Sequence, residues 1–247
     1  MEGTIDDLIQ AFRASERPVV MTGLSLGWPD DSHPEGVRSE WASRASLDAL
    51  LTEPSDFWQY FYPAGLEVNR REPNAAHHAL AKLQRAGYIA HHITQAVDRL
   101  HQKAGSIDVV EVYGNLLTAH CGRCAERYGV TELGPLIDAS SDGVPRCTND
   151  GCGYPLRPTG TLWGEPLPPI AVQKAWDVAG EGDLFVALDC DLRTAPISLL
   201  PSVPLTKKTP LFVVAETASQ YDRYATVVRS AAVTLLPDLV DRLLPDE

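Results

Sequence analysis

Short apolar segments alternate along this chain with amphipathic segments of helical period. Apolar and β-branched stretches predict strands at 19–21, 88–94, 109–112, 184–188, 211–215 and 232–236. Apolar residues at helical spacing predict helices at 5–13, 75–86, 97–103, 169–179 and 237–244. Asn74 supplies an N-cap for one of these helices, and Gly87 suits the left-handed residue that ends it. The alternation predicts an α/β fold with a doubly wound parallel sheet.

Two stretches break this alternation. Residues 24–44 are rich in Gly, Pro, Asp and Ser and predict an irregular segment, followed by short helices at 47–51 and 55–62. The aromatic residues here predict the core of a helical insertion, with an aromatic-lined substrate channel as the alternative: Trp41, Phe57, Trp58, Tyr60, Phe61 and Tyr62. Residues 120–158 place four cysteines among Gly, Asn, Asp and Pro, which indicates that a separate module interrupts the sheet.

Composition and charge narrow the classes of partner. The chain has 247 residues, of which 44% are hydrophobic and 22% charged, a balance typical of a globular protein. Its 21 Lys and Arg against 33 Asp and Glu give a net charge of −12, and no basic run is present to neutralise phosphates. We therefore expect no nucleic-acid partner. Because no run of about 18 apolar residues and no signal-peptide pattern is present, we expect a cytoplasmic protein without membrane contact.

Four of the five cysteines form two close pairs. Cys121 and Cys124 make a C-x2-C pair, and Cys147 and Cys152 make a C-x4-C pair after a gap of 22 residues. Two such pairs can bring four thiolates around Zn²⁺ at about 2.3 Å, which leaves no coordination position for a substrate. We therefore predict a structural zinc; the alternatives are four unligated thiols or a redox C-x-x-C pair. Cys190 stands alone and is expected to be an inert thiol.

Several motifs together resemble one family. They are PNAAH at 73–77, TQAVDRLH at 94–101, EVYGN at 111–115, RP at 157–158 and WGEPLP at 163–168. This combination is similar to the sirtuins, the Sir2-like NAD-dependent protein deacylases. The resemblance implies a Rossmann-like large domain and a small domain made of a zinc ribbon plus a helical insertion. NAD and an acyl-lysine peptide would meet in the cleft between the two domains.

The implied domain boundaries follow the interruptions of the sheet. The large domain would comprise 1–33, 72–118 and 159–247. The small domain would combine the helical insertion at 34–71 with the zinc-ribbon module at 119–158. The resemblance assigns the substrate side of the cleft to Trp163, Gly164 and Glu165.

The residues at the implied reaction centre differ from the family pattern. Tyr113 stands at the position of the family's general-base histidine, and Ala96 at that of an asparagine that orients the ribose. Asp98 matches the family and would lie in the nicotinamide pocket. A phenol with a pKa near 10 is almost fully protonated at neutral pH, unlike imidazole near 6.5. We therefore expect Tyr113 to be a poor base.

The implied NAD-binding positions also depart from the family. They are Thr22, Gly23, Gln95, Asp189, Asp191 and Glu216. The loop after Gly23 is about four residues short, contains Leu24-Ser25-Leu26 in place of small residues, and has Asp31 and Ser32 at the family's Phe and Arg. Asp189 and Asp191 replace a Gly and a Ser near the pyrophosphate. Two like charges about 4 Å apart repel by roughly 4 kcal/mol at an effective dielectric constant of 20, so NAD binding is doubtful.

Two hypotheses about function follow. The first is a non-catalytic zinc protein, a pseudoenzyme that binds an unknown protein, a basic peptide or a cationic small molecule through an acidic cleft around Asp98, Asp189, Asp191 and Asp30. The alternative is a divergent NAD-dependent protein lysine deacylase, or an enzyme with different chemistry in the same cleft, in which Tyr113 donates a proton. Little or no deacylase activity is expected under the first hypothesis.

Overall fold

The computed structural model describes residues 1–27 and 35–245. In these residues the strands are β1 (Pro18–Thr22), β2 (His91–Thr94), β3 (Val109–Glu111), β4 (Thr118–Cys121), β5 (Arg127–Gly129), β6 (Leu156–Pro158), β7 (Leu184–Leu188), β8 (Leu211–Val214) and β9 (Thr226–Val228). The α-helices are α1 (Ile5–Ala14), α2 (Glu35–Arg44), α3 (Leu47–Thr52), α4 (Pro54–Arg70), α5 (Ala75–Arg85), α6 (Leu100–Lys103), α7 (Val130–Asp138), α8 (Pro169–Glu181), α9 (Ser202–Thr206) and α10 (Ala232–Leu243).

Six strands form one parallel sheet in the order β3-β2-β1-β7-β8-β9. The chain builds one half outward from β1 and then returns to build the other half outward from β7, so the order reverses between these two strands. This is the doubly wound Rossmann-like topology that the alternation of strands and helices predicts, and the prediction is confirmed. In such sheets ligands bind beyond the carboxyl ends of the strands at the point of reversal.

Helices cover both faces of this sheet. One face packs against α1, α5 and α10, and Val20, Val186 and Val214 point into that layer. The opposite face packs against α8 and includes Val19 and Met21. Residues of β1 are therefore buried on both faces, as expected for a central parallel strand, and its apolar run is explained.

A second apolar core lies under the antiparallel sheet β5-β4-β6. Phe57, Trp58 and Phe61 of α4 are at most 2% exposed and pack there with Leu133 and Leu156. Their burial confirms the interpretation of these three aromatic residues as core rather than as a channel lining. The domain boundaries given above remain a prediction.

The structure differs from the expected elements in several places. Residues 24–44 are not wholly irregular, because 24–26 form a turn of 3-10 helix and α2 covers Glu35–Arg44. The helix predicted at 97–103 begins only at Leu100, since Arg99 has left-handed backbone angles (φ 59°). The predicted positions Asp30, Asp31 and Ser32 lie outside the described residues.

The strand predicted at 232–236 is wrong. This segment begins α10, whose buried side chains recur at helical spacing: Ala232, Leu235, Leu236, Leu239, Val240 and Leu243. The last strand is instead β9, which is only three residues long and has no distinctive apolar pattern. Packing of α10 against α5 decides between two structures that the short apolar run alone leaves equally plausible.

In the described part of the chain, no helix is long and apolar enough to cross a membrane.

Three histidines from different elements meet inside the large sheet's helical layer. His77 of α5, His92 of β2 and His101 of α6 are each 1% exposed. The ring centroids of His77 and His92 lie 4.8 Å and 4.3 Å from that of His101. The hydroxyl oxygen of Thr22 is 3.0 Å from Nε2 of His101. Burial lowers the pKa of His77 to about 4 and that of His92 to about 3, and lowers the pKa of His101 well below its ordinary value. The charge of His78 lowers the pKa of His77 further, and the neighbouring rings of the cluster do the same for His92 and His101.

This cluster predicts a loss of stability in mild acid. Below about pH 6.5 the unfolded chain protonates these histidines while the folded chain does not, so the free energy of unfolding falls by up to about 1.4 kcal/mol per pH unit for each histidine. Urea unfolding at pH 7, 6 and 5 measures this slope. His92→Val should make the slope smaller. His78→Gln, at an exposed position of the same helix, removes only one charge that acts on His77 and should change the slope much less. Equal slopes for His92→Val and the unmodified protein would contradict the prediction.

Candidate active site and zinc centre

The carboxyl ends of β1, β2 and β7 bring three predicted site segments together. The N–H of Gly23 donates to the carbonyl oxygen of Leu188 at 2.9 Å, and that of Gln95 donates to Thr22 at 2.9 Å. The loops after these strands therefore begin at one edge of the sheet. Asp189, at the end of β7, joins the same edge. Most of the implied NAD-binding positions therefore lie at the carboxyl edge of the sheet, where the strand order reverses between β1 and β7.

Gly23 allows the closest backbone approach at this edge. A Cβ atom at Gly23 would lie only 1.8 Å from the carbonyl oxygen of Asp189, so no other residue fits without a shift of the backbone. Ser25 donates its hydroxyl to the same oxygen at 3.1 Å. Leu26, predicted to add bulk to this loop, is fully buried in the core with Val20. Its side chain therefore fills the protein interior.

Gln95 ties the β2 loop to the β7 loop. Its side chain is buried, with Nε2 donating to the backbone oxygen of Asp191 at 3.0 Å and Oε1 accepting from the backbone N–H of Asp191 at 2.8 Å. Both ends of the amide thus bond to the backbone of Asp191. The pairing holds two implied cofactor loops in a single arrangement.

Tyr113 lies beside this pair and does not act as a base at neutral pH. Burial raises the pKa of its phenol, and the negative charge of Asp191 raises it further, while a hydrogen bond with Gln95 opposes the change. The phenol is therefore protonated at neutral pH and does not take up a proton. This agrees with the expectation of a poor base and gives its physical cause.

Ala96 and Asp98 are both buried, at 2% exposure each. Ala96 contributes only its backbone N–H, which donates to Oγ1 of Thr94 at 3.0 Å. Asp98 accepts the N–H of Leu100 at its Oδ1 atom, at 3.0 Å. Its Oδ2 atom is 2.6 Å from where a Cβ of Gly27 would lie, so this glycine keeps the space beside the carboxylate open. The sequence analysis missed Gly27, whose role depends on this long-range approach.

The acidic substitutions are engaged with the protein's own groups. Asp189 has left-handed backbone angles (φ 48°), and its Oδ2 atom accepts the N–H of Ala232, the residue that begins α10, at 2.7 Å. Burial raises the pKa of Asp189, and the charge of Glu216 raises it further. Asp191 accepts hydrogen bonds from Arg193 and Thr194, and these more than offset burial and lower the pKa of Asp191. The carboxylates are thus held in place, yet their charge stays at this edge.

The predicted substrate side is built on one exposed residue and one partly buried ion pair. Trp163 is 55% exposed, and its backbone oxygen accepts the N–H of Leu47 at 2.9 Å. Gly164 follows with left-handed backbone angles (φ 87°). Glu165 is 9% exposed in its side chain and lies 2.7 Å from Arg157. Trp163 is therefore available for contact, whereas Glu165 has a structural part in the loop.

The four clustered cysteines converge on one point. Their Sγ atoms all lie within 4.8 Å of one another, and the distances Cys121–Cys152 and Cys124–Cys147 are 3.5 Å. A tetrahedral Zn²⁺ with Zn–S bonds of about 2.3 Å requires sulfur atoms roughly 3.8 Å apart, so the set fits the ion. No other group of three or more possible ligands is found in the described residues.

Neighbouring donors hydrogen-bond to two of these sulfur atoms. Arg123 donates its N–H to Sγ of Cys121 at 3.4 Å, and the Tyr128 hydroxyl donates to Sγ of Cys147 at 3.3 Å. Cys190 is separate from the cluster, and its thiol donates to the backbone oxygen of Met21 at 3.2 Å. Burial raises the pKa of Cys190 far above the physiological range. This agrees with the expected inert thiol.

The zinc prediction is tested by metal content. The purified protein should contain about one zinc per chain by plasma mass spectrometry, and Cys124→Ala should lose it together with several degrees of melting temperature. Cys190→Ala, the matched control, should keep both. A Cys124→Ala variant with unchanged zinc and melting temperature would show that the cluster is not a structural metal site.

Comparisons with known proteins agree with this geometry. The model of the Sir2 family matches residues 30–196. An NAD-dependent protein deacetylase 1 of Pyrobaculum aerophilum is 33% identical over 245 residues, covering 97% of this chain and 94% of the relative. A solved structure of Sir2 bound to acetylated peptide has a TM-score of 0.85 at 27% identity, covering 97% of this chain and 98% of the other. A Sir2 mutant with one histidine changed to tyrosine, solved with p53 peptide and NAD, has a TM-score of 0.83 at the same identity and coverage. The chain therefore belongs to the Sir2 family.

Proposed function

We propose that this protein is a divergent NAD-dependent protein lysine deacylase whose rate is limited by Tyr113. The proposal rests on one observation. Polar side chains lie together at the carboxyl ends of β1, β2 and β7, on a backbone with the fold of the Sir2 family. The named activity of the Pyrobaculum relative supports it.

The part of the site built on β1 and β2 fits NAD. Gly23 leaves the loop backbone without a side chain at its tightest point. Gln95 is a buried polar group after β2, and Asp98 is a buried carboxylate beside Gly27. NAD, when bound, supplies the ribose carbon that the acyl oxygen attacks as nicotinamide leaves. In this chain Gln95 would orient the two loops, and Asp98 would face the nicotinamide, as the family resemblance implies.

The part of the site near β7 is negatively charged and would disfavour binding of an anionic cofactor. Asp189 and Glu216 interact at that end, and their negative charges would repel the pyrophosphate. Because the Asp189 carboxylate is bonded to the N–H of Ala232, this charge is fixed in position. We therefore expect weaker NAD binding than in a relative with Gly and Ser at 189 and 191.

Tyr113 would slow the chemistry without blocking the site. A protonated phenol does not accept a proton from a ribose hydroxyl, so the step that the family histidine catalyses lacks its base. The Sir2 structure with a histidine-to-tyrosine change contains both p53 peptide and NAD. It supports the view that such a change on this scaffold is compatible with both ligands. The exposed Trp163 would contact the peptide substrate.

A second candidate function is favoured by the same substitutions. With Tyr113 and Ala96 in place of a base and an orienting amide, the cleft could bind a partner and catalyse nothing. Asp98, Asp189 and Asp191 would then favour a basic peptide or a cationic small molecule. A cytoplasmic location is expected for either function.

The deciding variant is Tyr113→His. With an acetyl-lysine peptide and NAD, the unmodified protein should release nicotinamide and deacetylated peptide slowly, with a rate that rises into the alkaline range. Tyr113→His should raise kcat by about 100-fold or more, since a positioned general base contributes roughly 10²–10⁴. Mass spectrometry of the peptide and nicotinamide measures both products. Tyr113→Phe is the control for side-chain size.

Binding measurements separate the two candidates. Titration calorimetry with NAD should give a measurable Kd for the unmodified protein and for Tyr113→Phe. If neither protein binds NAD and Tyr113→His, folded and zinc-loaded, forms no product, the deacylase proposal is wrong. Binding of a lysine-rich peptide without any NAD binding would then favour the second candidate.

A further inference from the structure

A cavity of about 460 Å³ lies outside the candidate active site. It is bounded by the end of α4, by α6 and by the segments that begin β4 and α7. Its lining residues include only one of the predicted site residues, Asp98. Tyr113, Gln95 and Trp163 do not line it. The volume lies within the range of about 300–1,000 Å³ that is usual for small-ligand sites.

The lining of this cavity is cationic although the chain is acidic. Arg71, Arg99 and Lys103 line it, against the single carboxylate of Asp98. The whole chain carries a net charge of −12. Three cations gathered at one concave surface of such a chain favour an anionic ligand.

The ion pair of Lys103 can yield to a ligand. Lys103 lies 2.7 Å from Glu72, whose side chain is 75% exposed, and such exposed pairs contribute only about 0–1 kcal/mol. Nε of Arg99 is 3.6 Å from Oε1 of Glu111, and both atoms are buried without a hydrogen-bond partner in the described residues. Arg99 is also held with left-handed backbone angles, a strained conformation that is frequent at ligand sites.

The apolar residues that line the cavity indicate what the uncharged part of the ligand is. Val68, Leu100, Leu117 and Val130 supply apolar surface in the same cavity. A fully hydrated ion such as inorganic phosphate would leave this surface in contact with water. We propose that the cavity binds an organic carboxylate with a short aliphatic body, whose charged end pairs with Arg99 and Lys103 and whose chain contacts the apolar residues. The cavity shares Asp98 with the candidate active site, but the proposal does not require deacylase activity.

Hexanoate is the probe for this site, measured by titration calorimetry on the zinc-loaded protein. Hexanamide, which lacks the charge, and inorganic phosphate, which lacks the chain, should each bind about tenfold more weakly or worse. Lys103→Met and Arg99→Asn should each weaken hexanoate binding about tenfold, because each removes a charge-assisted hydrogen bond. Asparagine is chosen at 99 because it tolerates left-handed backbone angles. Lys174→Met, on the exposed surface of α8, is the matched control and should bind normally.

A second variant keeps the test valid if a charge change disturbs folding. Thr131 is exposed at the cavity wall, so Thr131→Phe should fill the space with little effect on melting temperature and abolish hexanoate binding. Trp163→Ala should leave hexanoate affinity unchanged, which separates this cavity from an acyl site in the cleft. Equal binding of phosphate and hexanoate, normal binding by Thr131→Phe, or loss of binding in Trp163→Ala would each overturn the proposal.

Discussion

The register of the central strand is the constraint on which the rest of the site depends. Thr22 at the end of β1 pairs with Thr94 of β2 on one side and with Leu188 of β7 on the other. Three strands therefore end at the same level, and the loops that follow them start within hydrogen-bond distance of one another. Gly23 can occupy this junction because it has no Cβ to meet the backbone of Asp189. A shift of one residue in β1 would separate the site residues and turn its side chains to the opposite faces.

The antiparallel sheet β5-β4-β6 depends on other parts of the protein for its core. Its three short strands bury little apolar surface by themselves, and the aromatic residues of α4 supply much of the core beneath them. The four thiols at one end of this sheet are close enough for one metal ion to link both cysteine pairs. A metal ion there would replace the packing that such short strands lack.

The candidate active site combines loops that are tied together by hydrogen bonds with acidic and phenolic side chains. Gln95 still joins two loops, yet the group beside it is a phenol whose pKa is raised by burial and by Asp191. The carboxylates that replace small residues are bonded to backbone and to neighbouring side chains. Asp189 in particular satisfies the N–H that begins α10. These carboxylates are therefore structurally accommodated, and their negative charge remains at the carboxyl edge of the sheet.

The amino-acid sequence alone determined which chemical groups the protein has and the class of its fold. The β-branched runs at β1 and β7, the N-cap at Asn74 and the spacing of the cysteines each act over a few residues, so local physics specifies them. The sequence likewise identified Tyr113 as a weak base, because that property belongs to the phenol itself. Only the tertiary structure decided that 232–243 is a helix, that His77, His92 and His101 meet in one buried cluster, and that Asp189 caps α10. These outcomes depend on contacts between residues distant along the chain, whose free energies no local pattern encodes.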